Sequence, residues 1–138
     1  MAMAARELIK TQPAAPGALA RELLRFGLIG ILATVIHYSL LFSLVHGADV
    51  EPIVATTIGY AVSLIFSYIL NRRFTFHVAG PVAASFAKFA VIYGVGLVLN
   101  AWIVDALAVD DSVLAAQLVA STVVLFWNYL GARFVAFR

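Results

Sequence analysis

From Phe26 to Ala48 the chain reads FGLIGILATVIHYSLLFSLVHGA, 23 residues without an Asp, Glu, Lys or Arg. A bilayer core about 30 Å thick takes ~20 helical residues at ~1.5 Å each, so this run is long enough to cross. Two more uncharged runs follow, Pro52 to Asn71 with 20 residues and Ser112 to Ala132 with 21. Between them, Val82 to Leu107 carries Lys88 and Asp105, with 16 uncharged residues separating the two. Those residues make about 24 Å of helix, and the two charges can snorkel to opposite interfaces. The runs are about twice the length of a barrel strand and do not alternate apolar with polar residues. The expected fold is an all-α membrane protein with four transmembrane helices, near 23–46, 52–71, 82–107 and 112–132.

Composition points the same way. Of 138 residues, 64% are hydrophobic and only 12% charged, with a mean hydropathy of +1.02. A soluble domain carries roughly 25% charged residues, so there is too little polar surface here for a water-exposed globule. A net charge of +2, spread over segment ends, provides no basic face and excludes nucleic acid as a partner. The absence of cysteine removes disulfides and thiolate metal sites. No Gly-rich nucleotide loop and no Ser/His/Asp or Cys/His set is present, so neither catalysis nor a cofactor is expected.

Charge also orients the spans. All nine basic residues (Arg6, Lys10, Arg21, Arg25, Arg72, Arg73, Lys88, Arg133 and Arg138) fall on one side of the expected bundle. Asp49, Glu51, Asp105, Asp110 and Asp111 fall on the other. The positive-inside rule then places both termini and the Arg72–Lys88 loop in the cytoplasm. Residues 1–20, interrupted by Pro13 and Pro16, are expected to form a mobile cytoplasmic arm ahead of a transmembrane domain at 21–138. Turns are expected at HGADVEP, HVAGP and VDDS, with Pro52 starting the second helix.

The second span closes on SYILNRRFTF, Ser67 to Phe76, and the fourth on NYLGARFVAF, Asn128 to Phe137. Laid 61 positions apart, both read small polar residue, Tyr, three residues, Arg, three residues, Phe. The same shift puts Thr56 on Gln117. Upstream, Arg25-Phe26 recurs 63 positions later as Lys88-Phe89, and His37 lands on Asn100. The pattern reads as one helical hairpin used twice. Each copy holds two spans, so both insert the same way up, as parallel-related repeats about an axis along the membrane normal.

With LRFGLIG opening span one, NRRFTF closing span two, Asn100 in span three, Gln117 in span four and the terminal NYLGARFVAF, the chain resembles the GtrA-like family of small bacterial membrane proteins. The resemblance runs from about Leu24 to Phe137. It implies a flippase of the bacterial cytoplasmic (inner) membrane, acting in cell-surface polysaccharide synthesis. Its substrate would be a polyprenyl-phosphate-linked monosaccharide, moved from the cytoplasmic to the outer leaflet. Family members often carry Asn and Phe where Ser67 and Tyr68 stand. An acidic residue is common where His37 stands, so a role that needs a carboxylate there does not carry over.

Such a substrate poses a definite problem. Its phosphate and hydroxyls must cross hydrocarbon, at an idealised cost on the order of 20 kcal/mol for an unpaired ion, while the prenyl tail stays in lipid. Arg72, Arg73, Lys88 and Arg133 are the candidate phosphate ligands, since the guanidinium fork offers two parallel charge-assisted hydrogen bonds. Arg72 and Arg133, equivalent across the repeat, are expected to face each other over the axis. The bland alternative is that cations simply flank cytoplasmic span ends.

Deeper in, His37, Asn100, Gln117, Asn128, Thr56 and Tyr38 are candidates for a head-group path, because lipid offers polar groups no partners. Their alternative role is hydrogen bonding between helices. Tyr68, Phe74, Phe76, Tyr129, Phe134 and Phe137 read as an interfacial aromatic belt. Gly59, Ser63 and Ser67, like Ala116 and Ala120, read as small-residue packing stripes, which leaves room for a homo-oligomer. Two other functions fit the architecture. One is a non-transporting subunit that positions a membrane glycosyltransferase. The other is a small proton-coupled multidrug exporter, whose mechanism relies on a first-span carboxylate that this chain lacks.

Overall fold

The computed structural model describes residues 16–107 and 113–138. Among the described residues four α-helices carry the fold: α1 (Pro16–Ala48), α2 (Pro52–Leu70), α3 (Val82–Leu107) and α4 (Val113–Gly131). All four are long and apolar enough to cross a membrane. Because α1 begins at Pro16, residues 16–20 of the expected arm are helical. The rest of the arm and the VDDS turn lie outside the described residues.

Both even-numbered helices run on past the expected ends into a single π-helical turn, Asn71–Thr75 after α2 and Ala132–Ala136 after α4. The i→i+5 bonds of a π-turn close both: Phe76 N donates to Asn71 O and Phe137 N to Ala132 O, each at 2.9 Å. The 61-residue sequence echo is therefore also an echo of local geometry. The first turn is fastened by Asn71, which is fully buried. Its Nδ2 donates to Ser67 O at 3.0 Å, and Thr75 Oγ1 donates to its Oδ1 at 2.9 Å.

The helices pack as two pairs, α1 on α2 and α3 on α4, with much lighter contact between the pairs. In the first pair, Ala55, Gly59, Ser63 and Ser67 form a buried stripe at four-residue spacing. A Cβ on Gly59 would sit 2.8 Å from both the ring Cδ2 and the carbonyl oxygen of His37. Ala116 and Ala120 are buried likewise in α4. The small residues serve close approach of helices inside the protein.

The aromatic belt needs correcting. Tyr68, Tyr129 and Phe137 are buried and Phe76 is half-buried, packed with Phe26 and Phe89 in one cluster. Only Phe74 and Phe134 of the six face outward. The reason is the repeat itself: Phe26 meets Tyr129 edge-on at 5.6 Å and 66°, and Phe89 meets Tyr68 edge-on at 5.5 Å and 67°. Each first-helix Phe thus packs on the second-helix Tyr of the other hairpin, and Phe76 stacks on Phe137 between them at 5.0 Å. Away from this cluster, large side chains such as Ile31, Val98 and Trp102 are about two-thirds exposed, a surface suited to hydrocarbon.

Replacing Gly59 with Leu pushes a side chain into a backbone carbonyl. It is expected to cost about 1–3 kcal/mol or to prevent folding. Gly94→Leu, where nothing lies within 4 Å of a Cβ, is expected to change stability by less than about 0.5 kcal/mol. Thermal unfolding in detergent, followed by size-exclusion chromatography, measures both.

Candidate functional site

The Tyr-x3-Arg motif makes the same local bond twice. Arg72 Nη1 donates to Tyr68 Oη and Arg133 Nη1 to Tyr129 Oη, both at 3.2 Å, because residues four apart share a helix face. Each pair then reaches to the other hairpin. Tyr68 Oη lies 2.6 Å from Ser85 Oγ on α3, and Arg72 Nη1 donates to the same oxygen at 2.7 Å. Tyr129 donates to Glu22 Oε1 on α1 at 3.0 Å, and Arg133 forms an ion pair with that carboxylate. Glu22 and Ser85 stand 63 residues apart, the shift already seen for Phe26 and Phe89. One crossing contact is made twice, with an acid in one copy and a hydroxyl in the other.

This corrects the expectation that Arg72 and Arg133 share a cleft. Each is drawn to an acceptor on the first helix of the opposite hairpin, so they occupy separate niches. Arg72 is further tied to Gly80 O at 2.7 Å. Among the described residues it has no acidic partner. Lys88 lines a recess of about 80 Å³ beside Arg72, Ser85 and Arg138. Arg73 is exposed, with its guanidinium 5.5 Å from the Phe74 ring.

Light contact between the pairs leaves two clefts. The larger, about 740 Å³, is bounded by Gly30 and Thr34 of α1, Tyr93 and Asn100 of α3, and Ser121, Val124, Leu125 and Asn128 of α4. The smaller, about 130 Å³, is bounded by Tyr60, Ser63, Leu64 and Ser67 of α2, with Tyr93, Gly30 and His37. Positions 60, 63, 64 and 67 become 121, 124, 125 and 128 under the 61-residue shift. Gly30 becomes Tyr93, and His37 becomes Asn100, under the 63-residue shift. The clefts are therefore twins.

Their difference in size has a local cause. Tyr93 fills the smaller cleft, stacked on Phe89 at 4.3 Å with its hydroxyl 3.5 Å from Ser67 Oγ. At the matching place in the larger cleft stands Gly30, where nothing lies within 4 Å of a would-be Cβ.

The six candidate path residues divide accordingly. His37 Nε2 is 3.0 Å from Thr56 Oγ1, and Gln117 Nε2 donates to Asn100 Oδ1 at 3.1 Å. These are equivalent bonds, each joining the two helices of one hairpin. Even so, Asn100 borders the open cleft and His37 its twin. Thr56 and Gln117 line neither. Tyr38 is exposed and stacked on His37 at 5.3 Å, and it too lines neither cleft. Asn128 borders the open cleft, and its Oδ1 is buried with no hydrogen-bond partner among the described residues. An unmet buried acceptor is uncommon and calls for an explanation.

Residues 25–137 match the GtrA/DPMS transmembrane domain. The chain belongs to that family. It is also similar to bactoprenol-linked glucose translocases from Shigella phages SfII and SfV and Salmonella phage P22. Each is 26% identical over 110 residues, covering 80% of this chain and 89% of the relative. This GtrA-family chain is thus a multi-pass membrane protein whose relatives are named for transport.

Four residues that shape the site escape a reading of motifs: Glu22, Ser85, Gly30 and Tyr93. The signal was available, since the 63-residue shift that pairs His37 with Asn100 pairs these as well. Glu22→Gln leaves the Arg133 cation with neutral acceptors only, whereas Ser85→Ala removes a neutral acceptor from Arg72. Charge-assisted bonds are roughly twice as strong. Glu22→Gln is therefore expected to lower stability by about 1–2 kcal/mol, more than Ser85→Ala. Melting curves of the two variants check the order.

Proposed function

We propose that the protein moves a polyprenyl-phosphate-linked monosaccharide from the cytoplasmic to the outer leaflet of the bacterial inner membrane, through the open cleft between its two hairpins. The observation that carries the reading is the character of that cleft. One wall is apolar, with Leu24, Leu28 and Ile31 well exposed, while Thr34, Asn100, Ser121 and Asn128 add a polar row. From Ala20 to Thr34 it follows α1 over 15 residues, about 21 Å from first to last. A prenyl chain can lie along the apolar side while hydroxyls exchange water for amides and side-chain hydroxyls. The names of the phage relatives support the same substrate class.

In this reading the hairpins are parallel repeats and the basic end faces the cytoplasm, as the positive-inside rule requires. Arg72, Arg73, Lys88 and Arg133 give that end a positive field that gathers anionic head groups. Arg133 follows Asn128 by five residues in the chain. Synthesis of the lipid inside and its consumption outside supply the driving force. An inside-negative potential adds up to ~2.3 kcal/mol per charge per 100 mV for an outward-moving anion.

One observation favours the rival role of positioning a glycosyltransferase: His37, Asn100, Arg72 and Arg133 all spend hydrogen bonds within the protein. Liposomes holding the full chain and a fluorescent polyprenyl-phosphoryl glucose separate the two. Transport requires exchange between leaflets faster than in protein-free vesicles, and faster outward when an inside-negative potential is imposed. Exchange equal to that of empty vesicles would leave the positioning role.

A further inference from the structure

We infer that the protein has one lipid route where its architecture offers two, and that Gly30 and Tyr93 choose it. The inference deepens the translocation reading and takes its substrate class from there. The hairpins generate equivalent clefts, and sequence has altered one equivalent pair at the point that sets their width. Where α1 has Gly30, α3 has Tyr93. The result is about 740 Å³ on one side and about 130 Å³ on the other. Ligand clefts run from about 300 to 1,000 Å³, so of the two twins only the larger has room for a sugar.

The linings diverge in the same direction. The open cleft has two amides, Asn100 and Asn128, where its twin has His37 and Ser67. An amide offers donors and an acceptor together, which suits a neutral, hydroxyl-rich head group. Asn128 borders this cleft, while its Oδ1, without a hydrogen-bond partner among the described residues, is buried beside Gly96 of α3. Tyr93 acts as a fixed plug, because its ring is stacked on Phe89, which is fully buried. Gly30 is the permissive position opposite. Tyr93, whose hydroxyl reaches Ser67, is a positioning residue here, excluding lipid from the smaller cleft.

Native mass spectrometry of the full chain with undecaprenyl-phosphoryl glucose counts the occupied clefts directly, whether or not the lipid is flipped. The wild type is expected to bind one lipid, Gly30→Tyr none, Tyr93→Gly two, and the double exchange one. Gly30 has open space around it, so Gly30→Tyr is expected to melt like the wild type, which separates blockage from misfolding. In vesicles, Gly30→Tyr should slow exchange at least tenfold and the double exchange should recover part of it. A stoichiometry unchanged across the four proteins overturns the inference. So does a well-folded Gly30→Tyr variant that binds lipid as the wild type does. A wild type that binds one lipid but flips none would instead defeat the translocation reading and leave the single-cleft assignment standing.

Discussion

A guanidinium at the edge of a bilayer must find acceptors, and the way Arg72 and Arg133 find theirs holds this molecule together. Each takes the tyrosine hydroxyl one turn back and, beyond it, an oxygen on the first helix of the opposite hairpin. The two clasps cross, so neither hairpin stands alone. Beneath them the rings of Phe26, Phe89, Tyr68, Tyr129 and Phe137 fill the same end of the bundle. Toward the middle of the membrane the pairs touch only lightly, and the space between them becomes the two clefts. Firm closure at one end and separation further along follow from the same crossed contact.

The repeat makes such a device twice, whereas the proposed translocation needs it only once. Departures from symmetry are therefore the informative residues. Glu22 pairs with Arg133, while Ser85 gives Arg72 a neutral partner and, among the described residues, no carboxylate. Gly30 opens one side and Tyr93 occupies the other. Asn128 replaces a serine, and Asn100 a histidine. Interhelical bonds that hold a hairpin, such as Asn100 to Gln117, sit beside the cleft that the same asparagine borders, so one side chain serves both packing and the cleft wall.

Much of this was written in the sequence. Three uncharged runs and a fourth apolar segment bearing Lys88 and Asp105 marked the spans, and the recurrence of Tyr-x3-Arg-x3-Phe marked the repeat, because length and periodicity report local requirements that tertiary contacts do not override. The π-turns were not legible: Asn71 and Ala132 read as ordinary helix ends, and only bonding five residues ahead extends them. The aromatic motif was misjudged as a belt because interfacial and buried rings look alike without knowing which helix lies opposite. Facing arginines failed for a related reason. Equivalent residues need not meet at an axis when each has a nearer partner across it.

The claim at the centre is that the lipid's chain lies in the larger cleft. A polyprenyl-phosphoryl glucose with a diazirine in its tail, irradiated with the protein in nanodiscs and mapped by mass spectrometry, tests it most directly. Labels concentrated on Leu28, Ile31, Val124 and Leu125, and displaced by excess unlabelled lipid, are what the structure leads us to expect. Labels spread evenly over outward residues such as Ile53 and Val98, and insensitive to competitor, would contradict it.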